Sequence, residues 1–286
     1  MAFQPNTPND NPWPQAAGGR TRIMGVINLT PDSFSDGGHV AGVDQAVATA
    51  MRLADEGADI LDIGGESTHP RATPIDAETE LARVLPGLRA ITDKVALPVS
   101  IDTYKARTAD AALAAGARIV NDVWGLQRDG EMARVVAHHG AGLCIMHNRT
   151  TVDPSLDILV DIRAFFERSL DMAARAGIPQ ARIVLDPGIG FGKTFDQNLI
   201  VLRRLAELKA FGLPLLVGSS RKGFIGAVTG RSVPAERLPG TLAAHVAAAL
   251  AGASIIRAHD IRPHREALAL TDAIIRGSVT PNQGTP

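Results

Sequence analysis

Eight short apolar runs in this chain finish at, or a few residues before, side chains that carry charge or share protons. The runs are RIMGVI, DILDI, PVSI, RIVN, GLCIM, RIVLD, PLLVG and SIIRA, and they end near Asn28, Asp62, Asp102, Asn121, Met146, Asp186, Gly218 and Arg257. Glu66, His147, Ser220, Arg221, Lys222 and His259 follow closely behind those ends. One such ending is often a helix N-cap, and Asp102 or Asp32 alone would read that way. Eight in register point to one shared site. Asp102, Asp186 and Asn121 accept and donate hydrogen bonds in a plane, which suits a flat heterocycle with an amino-oxo-pyrimidine edge. Lys222 can donate to a ring oxygen. Arg257 and His259 suit phosphate oxygens. Asn28 offers a neutral oxygen able to help hold Mg²⁺ beside substrate phosphates. Together these groups describe a pocket for a planar polar ring with a phosphorylated arm.

Other motifs are less specific. DPGIGFGKT (186–194) ends like a phosphate loop, but Pro187 stands where the first glycine of that pattern belongs, and Lys193 stands where a dinucleotide fingerprint needs its third glycine. Its glycines let backbone pass close to a ligand. Zinc-type His and Cys spacings are absent. The single cysteine, Cys144, lies in an apolar run and reads as a small core residue rather than a nucleophile. His138 and His139 sit near a helix end and read as structural.

A site of this kind needs elements that bring distant strand ends together. Between the apolar runs lie helical patterns. In the first, Val43, Ala46, Val47, Ala50, Met51 and Ala54 face one side, and Gly57 stops the helix. Leu81, Val84, Leu85, Leu88 and Ile91 do the same in the second, with a kink expected at Pro86. The last begins at Pro263 and turns Ala267, Leu270 and Ile274 inward. A strand–helix unit recurs about every 33 residues, and eight such units close most naturally into a (β/α)₈ barrel with its site at the C-terminal strand ends. A doubly wound open sheet is the alternative.

The 286 residues suit one barrel domain over 21–278, with tails without fixed structure over 1–20 and 279–286. A net charge of −1 and the absence of basic blocks argue against nucleic-acid or membrane-surface binding. No apolar run is long enough to span a membrane and no secretory leader is expected, so the reading is cytoplasmic.

Seven segments, in order, resemble the signature segments of the dihydropteroate synthase family: MGVINLTPDSFSDGG (24–38), DIGGEST (62–68), SIDTYKA (100–106), NDVWG (121–125), DPGIGFGKT (186–194), SRKGFIG (220–226) and RAHD (257–260). The resemblance covers roughly residues 22 to 277. It implies a (β/α)₈ barrel, usually homodimeric through helices, that condenses 7,8-dihydropterin-6-ylmethyl diphosphate with 4-aminobenzoate in folate biosynthesis, with Mg²⁺. In that family pyrophosphate leaves before the amine attacks a pterin cation.

By matching position, Asp102, Asn121, Asp186 and Lys222 would bind the pterin, with Met146, Val123 and Phe191 packed around it. Asp102, Lys222 and Arg257 would serve catalysis. Asn28, His69, Arg257 and His259 would hold the diphosphate, with Asn28 at the metal. Phe34, Ser67, Thr68, Pro70, Phe191 and Gly223 would form the aminobenzoate pocket, the first four on two mobile loops that also include Asp32, Ser33 and Asp36. Two positions depart from the family pattern. His69 stands where arginine is usual, so a pyrophosphate contact there would depend on pH, and Arg71 is a candidate substitute. Gly223 stands where serine is common. Other readings are a methyl-tetrahydrofolate barrel serving a corrinoid protein and a non-catalytic pterin-binding paralogue. The first has no need of TPDSFSDGG, Arg257 or His259, and the second rests only on His69 and Gly223. The small residues of PGTLAAHVAAALAGAS serve a helix–helix contact between subunits or packing within one barrel equally well.

Overall fold

A computed structural model describes residues 11–14, 19–30, 38–66 and 73–279, with backbone only at 38–41. Strands and helices alternate along it. The strands are β1 (Arg22–Asn28), β2 (Ile60–Gly64), β3 (Val99–Asp102), β4 (Ile119–Asp122), β5 (Gly142–Met146), β6 (Ile183–Asp186), β7 (Leu216–Val217) and β8 (Ile255–Ala258). The helices are α1 (Gly38–Asp55), α2 (Ala77–Thr92), α3 (Ala106–Ala114), α4 (Met132–His139), α5 (Ile158–Arg175), α6 (Phe195–Arg203), α7 (Gly223–Thr229), α8 (Leu238–Leu250) and α9 (Ile261–Arg276).

All strand pairs are parallel, in the order β6-β5-β4-β3-β2-β1-β8-β7. The remaining seam, between β6 and β7, is bridged at Leu185 and Leu215, and the Leu185 N–H donates to Pro214 O at 3.0 Å. The expected barrel is therefore the fold, and the open sheet is excluded. Its register sets the site. Gly64 lies opposite Asn28 and Asp102, Asp102 opposite Asn121, and Met146 opposite Asp186, so these strand ends reach one level.

Both strand faces are buried, but they differ. Outward residues such as Ile23, Leu61, Ile101, Val120, Leu143, Leu185 and Ile256 join the main core against the helices. Inward residues Met24, Ile60, Ile119, Cys144, Val184, Leu216 and Ile255 form a separate apolar layer inside the barrel. Cys144 thus has the core role expected of it. Trp13 completes that layer: it is 3 % exposed, and its indole N–H donates to Arg182 O at 2.8 Å. Residues 11–14, expected within a tail, pack here instead. An isolated Trp among Pro and Asn shows no periodicity that would announce its partner.

Two helix faces differ from expectation. In α9, Leu270 and Ile274 are 66 % and 63 % exposed, while Ile261, His264, Leu268, Thr271 and Asp272 are buried. The helix starts at Ile261, two residues before Pro263, and its inner face is partly polar. Asp272 accepts from the N–H and hydroxyl of Thr21, and His264 contacts His245. Counting only apolar side chains therefore placed the face wrongly. In α1, Met51 points outward and Leu53 inward.

Candidate active site

Asp62, on β2, is fully buried. Its Oδ2 accepts from Arg257 Nε at 2.6 Å and from Asn121 Nδ2 at 3.0 Å. The Arg257 fork also donates from Nη2 to Asp102 Oδ2 at 2.7 Å. One guanidinium thus spans two carboxylates across the barrel mouth. Burial alone would lower its pKa, but Asp62 and Asp102 outweigh that and hold it as a cation. Burial raises Asp102 to about 7 despite the pull of Arg257, with Asp62 pushing the same way as burial.

Three oxygens of this cluster, Asp62 Oδ1, Asp102 Oδ1 and Asn121 Oδ1, are buried without a protein hydrogen-bond partner. Each such group costs about 1–3 kcal/mol when left unmet. Their concentration at one end of the barrel marks where a ligand supplies donors.

Asp186, at the end of β6, completes the far wall. Its Oδ1 accepts from the Gly188 N–H at 2.7 Å. Burial raises its pKa to about 6, against the lowering effects of that N–H and of Lys222. Lys222 Nζ stands 3.9 Å from the centroid of the Phe191 ring, a cation–π contact. Burial, then Arg257, lowers the Lys222 pKa to about 8. The β6–α6 loop carrying Phe191 requires its glycines. Gly188 has φ +67°, and a Cβ there would lie 1.9 Å from His147 O; at Gly190, with φ +84°, it would meet Lys222 Cδ at 2.7 Å.

Met146 and Val123 are buried beside these groups. His259 shares a hydrogen bond with Ser220 Oγ at 2.8 Å, and burial followed by Arg257 pushes its pKa down to about 4. It therefore stands at neutral pH as an uncharged imidazole in the absence of ligand. Asn28 is exposed at the mouth end of β1. Gly223 opens α7, and a Cβ there would sit 3.5 Å from the Phe195 ring. Glu66 is taken up by partners that follow β3. It pairs with Lys105, which reaches Glu80 at 2.9 Å, and it accepts from Tyr104 at 3.1 Å. Phe34, Ser67, Thr68, His69 and Pro70 lie outside the described residues.

Among the described residues no group of three His, Cys, Asp or Glu side chains is placed to hold a metal. The donor at hand is Asn28, a single neutral oxygen. That fits an ion such as Mg²⁺, which keeps several waters and borrows oxygens from a phosphorylated substrate.

The structure thus gathers Asp102, Asn121, Asp186, Lys222, Arg257, Met146, Val123 and Phe191. It adds Asp62, whose place at a strand end was legible but whose role was not. The available signal was its alternation: Asp62 is the β2 residue in phase with Asp102 and Asn121 on the neighbouring strands.

Fold and site together define a (β/α)₈ barrel with buried charged and hydrogen-bonding groups gathered at its mouth. Residues 24–259 match the family model for pterin binding enzymes. Dihydropteroate synthase of Clostridium beijerinckii is 43% identical over 260 residues, covering 91% of this chain and 96% of that one. A Clostridium difficile dihydropteroate synthase crystallised with pteroic acid superposes with a TM-score of 0.88 at 48% identity, over 91% of this chain and 98% of the other. The Xanthomonas albilineans enzyme in complex with 7,8-dihydropteroate gives 0.82 at 40% identity, over 93% and 95%. The chain belongs to the pterin binding enzyme family, in its dihydropteroate synthase line.

Proposed function

We propose that this protein condenses 7,8-dihydropterin-6-ylmethyl diphosphate with 4-aminobenzoate to give 7,8-dihydropteroate and pyrophosphate. The observation that carries this reading is the ring of buried, unpartnered oxygens on Asp62, Asp102 and Asn121, facing Asp186 and Lys222. A pterin presents a 2-amino group, a ring N–H and a 4-oxo group along one edge. Ionised Asp186 accepts from the first two, Asn121 Oδ1 accepts from another ring N–H, and Lys222 donates to ring oxygen. Phe191, Met146 and Val123 pack on the ring.

In the reaction the bond between the pterin methylene carbon and the bridging oxygen breaks, and pyrophosphate leaves with the electron pair. The amine nitrogen of aminobenzoate then attacks the methylene and loses a proton. Positive charge on the pterin favours the carboxylate of Asp102 beneath it. Arg257 holds that carboxylate and presents its own charge at the mouth. His259 and His69 would bind phosphate oxygens. Asn28 would hold Mg²⁺ with the diphosphate, and the ion, when bound, offsets the charge of the leaving group. Phe34, Ser67, Thr68, Pro70, Phe191 and Gly223 would enclose the aminobenzoate. No enzyme nucleophile is required.

The catalytic unit in this reading is the barrel over 21–278, acting in the cytoplasm; no helix among the described residues is long and apolar enough to cross a membrane. A homodimer is in keeping with the exposed apolar side chains of Leu250 on α8 and Leu270 and Ile274 on α9. The test follows pyrophosphate and dihydropteroate together, with both substrates and Mg²⁺, from pH 6 to 9. Products appearing in step are expected, with a decline through the histidine range that His69→Arg flattens. Pterin binding with neither product would overturn the reading.

A further inference from the structure

The loop between β6 and α6 contains a buried lysine that the reaction does not use. Lys193 is 6 % exposed, and its Nζ makes three contacts: His147 Nδ1 at 2.7 Å, Gly188 O at 2.8 Å and Phe191 O at 3.1 Å. An ammonium has three donors and no acceptor, so three acceptors saturate it. The acceptor role fixes the imidazole: Nδ1 carries the lone pair, and Nε2–H donates to Asp161 Oδ2 at 3.0 Å. Arg149 Nη1 donates to the same oxygen at 2.7 Å. The chain of contacts therefore runs from α5 through the end of β5 to the β6–α6 loop.

On the pocket side, the two atoms Lys193 holds belong to residues that shape the ring site. Gly188 O is fixed by Lys193, while the Gly188 N–H donates to Asp186 Oδ1 at 2.7 Å. Phe191 O is fixed by Lys193, while the Phe191 ring lies under Lys222 Nζ. We infer that Lys193 is a positioning residue for the pterin pocket: its buried amino group, stitched to Gly188 O and Phe191 O, sets the acceptor edge of Asp186. This deepens the proposed function and rests on it.

Charge supports the geometry. The groups acting on Asp186 are the Gly188 N–H, Lys222, Lys193 and Arg257, all lowering its pKa against burial. Those acting on Lys193 are Asp186 and Asp161, which raise its pKa, and Lys222 and Arg149, which lower it; burial is the largest effect and brings it to about 7. His147 is held neutral, first by burial and then by Lys193. At about pH 6, where Asp186 titrates, Lys193 is an ammonium. Removing it raises the Asp186 pKa, so the acid limit of ring binding moves to higher pH.

The test measures binding of 6-hydroxymethyl-7,8-dihydropterin by calorimetry from pH 5 to 9 for the wild type, Lys193→Met and Lys193→Gln. This probe has no phosphate whose titration would overlap. Wild-type binding that weakens below about pH 6 is expected, with the limb moved up by about one pH unit in both variants. At pH 8, where Lys193 is largely the neutral amine and still has two N–H donors for Gly188 O and Phe191 O, Lys193→Met should also weaken binding by about tenfold, and Lys193→Gln, which keeps a donor, by less. Folded variants whose limb stays in place would overturn the inference while leaving the proposed function intact. Wild-type protein that binds no pterin would overturn both. Imidazole ¹⁵N spectra of the wild type supply a check that needs no variant. His147 should be the Nε2–H tautomer at pH 7, and a protonated Nδ1 would remove the acceptor on which the argument stands.

Discussion

The floor and the mouth of this barrel differ by a single step of strand alternation. At the floor, Met24, Ile60, Ile119, Cys144, Val184, Leu216 and Ile255 pack together under Trp13. Two residues further along six of those strands stand Asp62, Asn121, Met146, Asp186, Gly218 and Arg257. At the floor the Trp13 indole N–H has its acceptor. The mouth leaves buried carboxylate and amide oxygens without one. One strand set therefore serves opposite ends: the floor stabilises the fold, and the mouth keeps unmet polarity that a ligand can satisfy.

The largest effect should come from Arg257→Met. It leaves Asp62 and Asp102 buried together without their cation, a change costing about 3–5 kcal/mol when a buried pair is broken. Turnover should fall by at least about 100-fold. Steady-state kinetics within tenfold of the wild type would break the assignment of the bridge to the mouth's chemistry.

Trp13→Ala tests the other end. Removing a buried tryptophan typically costs about 3 kcal/mol. Denaturant titration should show that loss, while kcat of the folded protein stays at the wild-type value. Lost activity with unchanged stability would erase the division between floor and mouth.

Asp186→Asn sharpens the contrast because stability and binding should move in opposite directions. The folded carboxyl has its pKa raised to about 6, above the ordinary value. Its stability contribution is therefore full below about pH 4, the unfolded value, and is lost as pH rises through the folded one. The uncharged amide escapes that loss. The ligand-free variant should be about 1–2 kcal/mol more stable at pH 8, and pterin affinity should drop about tenfold. Thermal unfolding and calorimetry read the two signs, and a less stable, equally tight variant would refute the trade.

The smallest effect is expected of Gly223→Ser. The added Cβ meets only the Phe195 ring, at 3.5 Å, so stability should change by less than about 0.5 kcal/mol. Its readout is the KM for 4-aminobenzoate measured beside the pterin Kd. A shift in pterin affinity instead would place Gly223 at the wrong part of the mouth.

Much of this is legible in the sequence alone. The strand ends at Asn28, Asp102, Met146 and Asp186 are where they were expected, because a buried parallel strand writes itself as an apolar run and a polar stop. The partners were not legible. Glu66 stands as near a strand end as Asp62 and in the same strand phase, yet it lies two residues past the end of β2 and pairs with Lys105, while Asp62 stays within the strand and meets Arg257 and Asn121. The face of α9 was misjudged at Leu270 and Ile274 because buried Thr271 and Asp272 have polar partners elsewhere in the chain.

By itself the sequence determined the eightfold repeat, the parallel barrel and the residue types at its mouth, since these follow from local periodicity and from runs a few residues long. Only the tertiary structure decided that Arg257 joins Asp62, 195 residues away, and Asp102, 155 residues away. It likewise decided that Trp13 seals the floor, that Lys193 lies buried against Gly188 and Phe191, and that burial and Arg257 lower the His259 pKa. Barrel closure brings such residues together, and the desolvation that shifts their protonation depends on every neighbour that closure supplies.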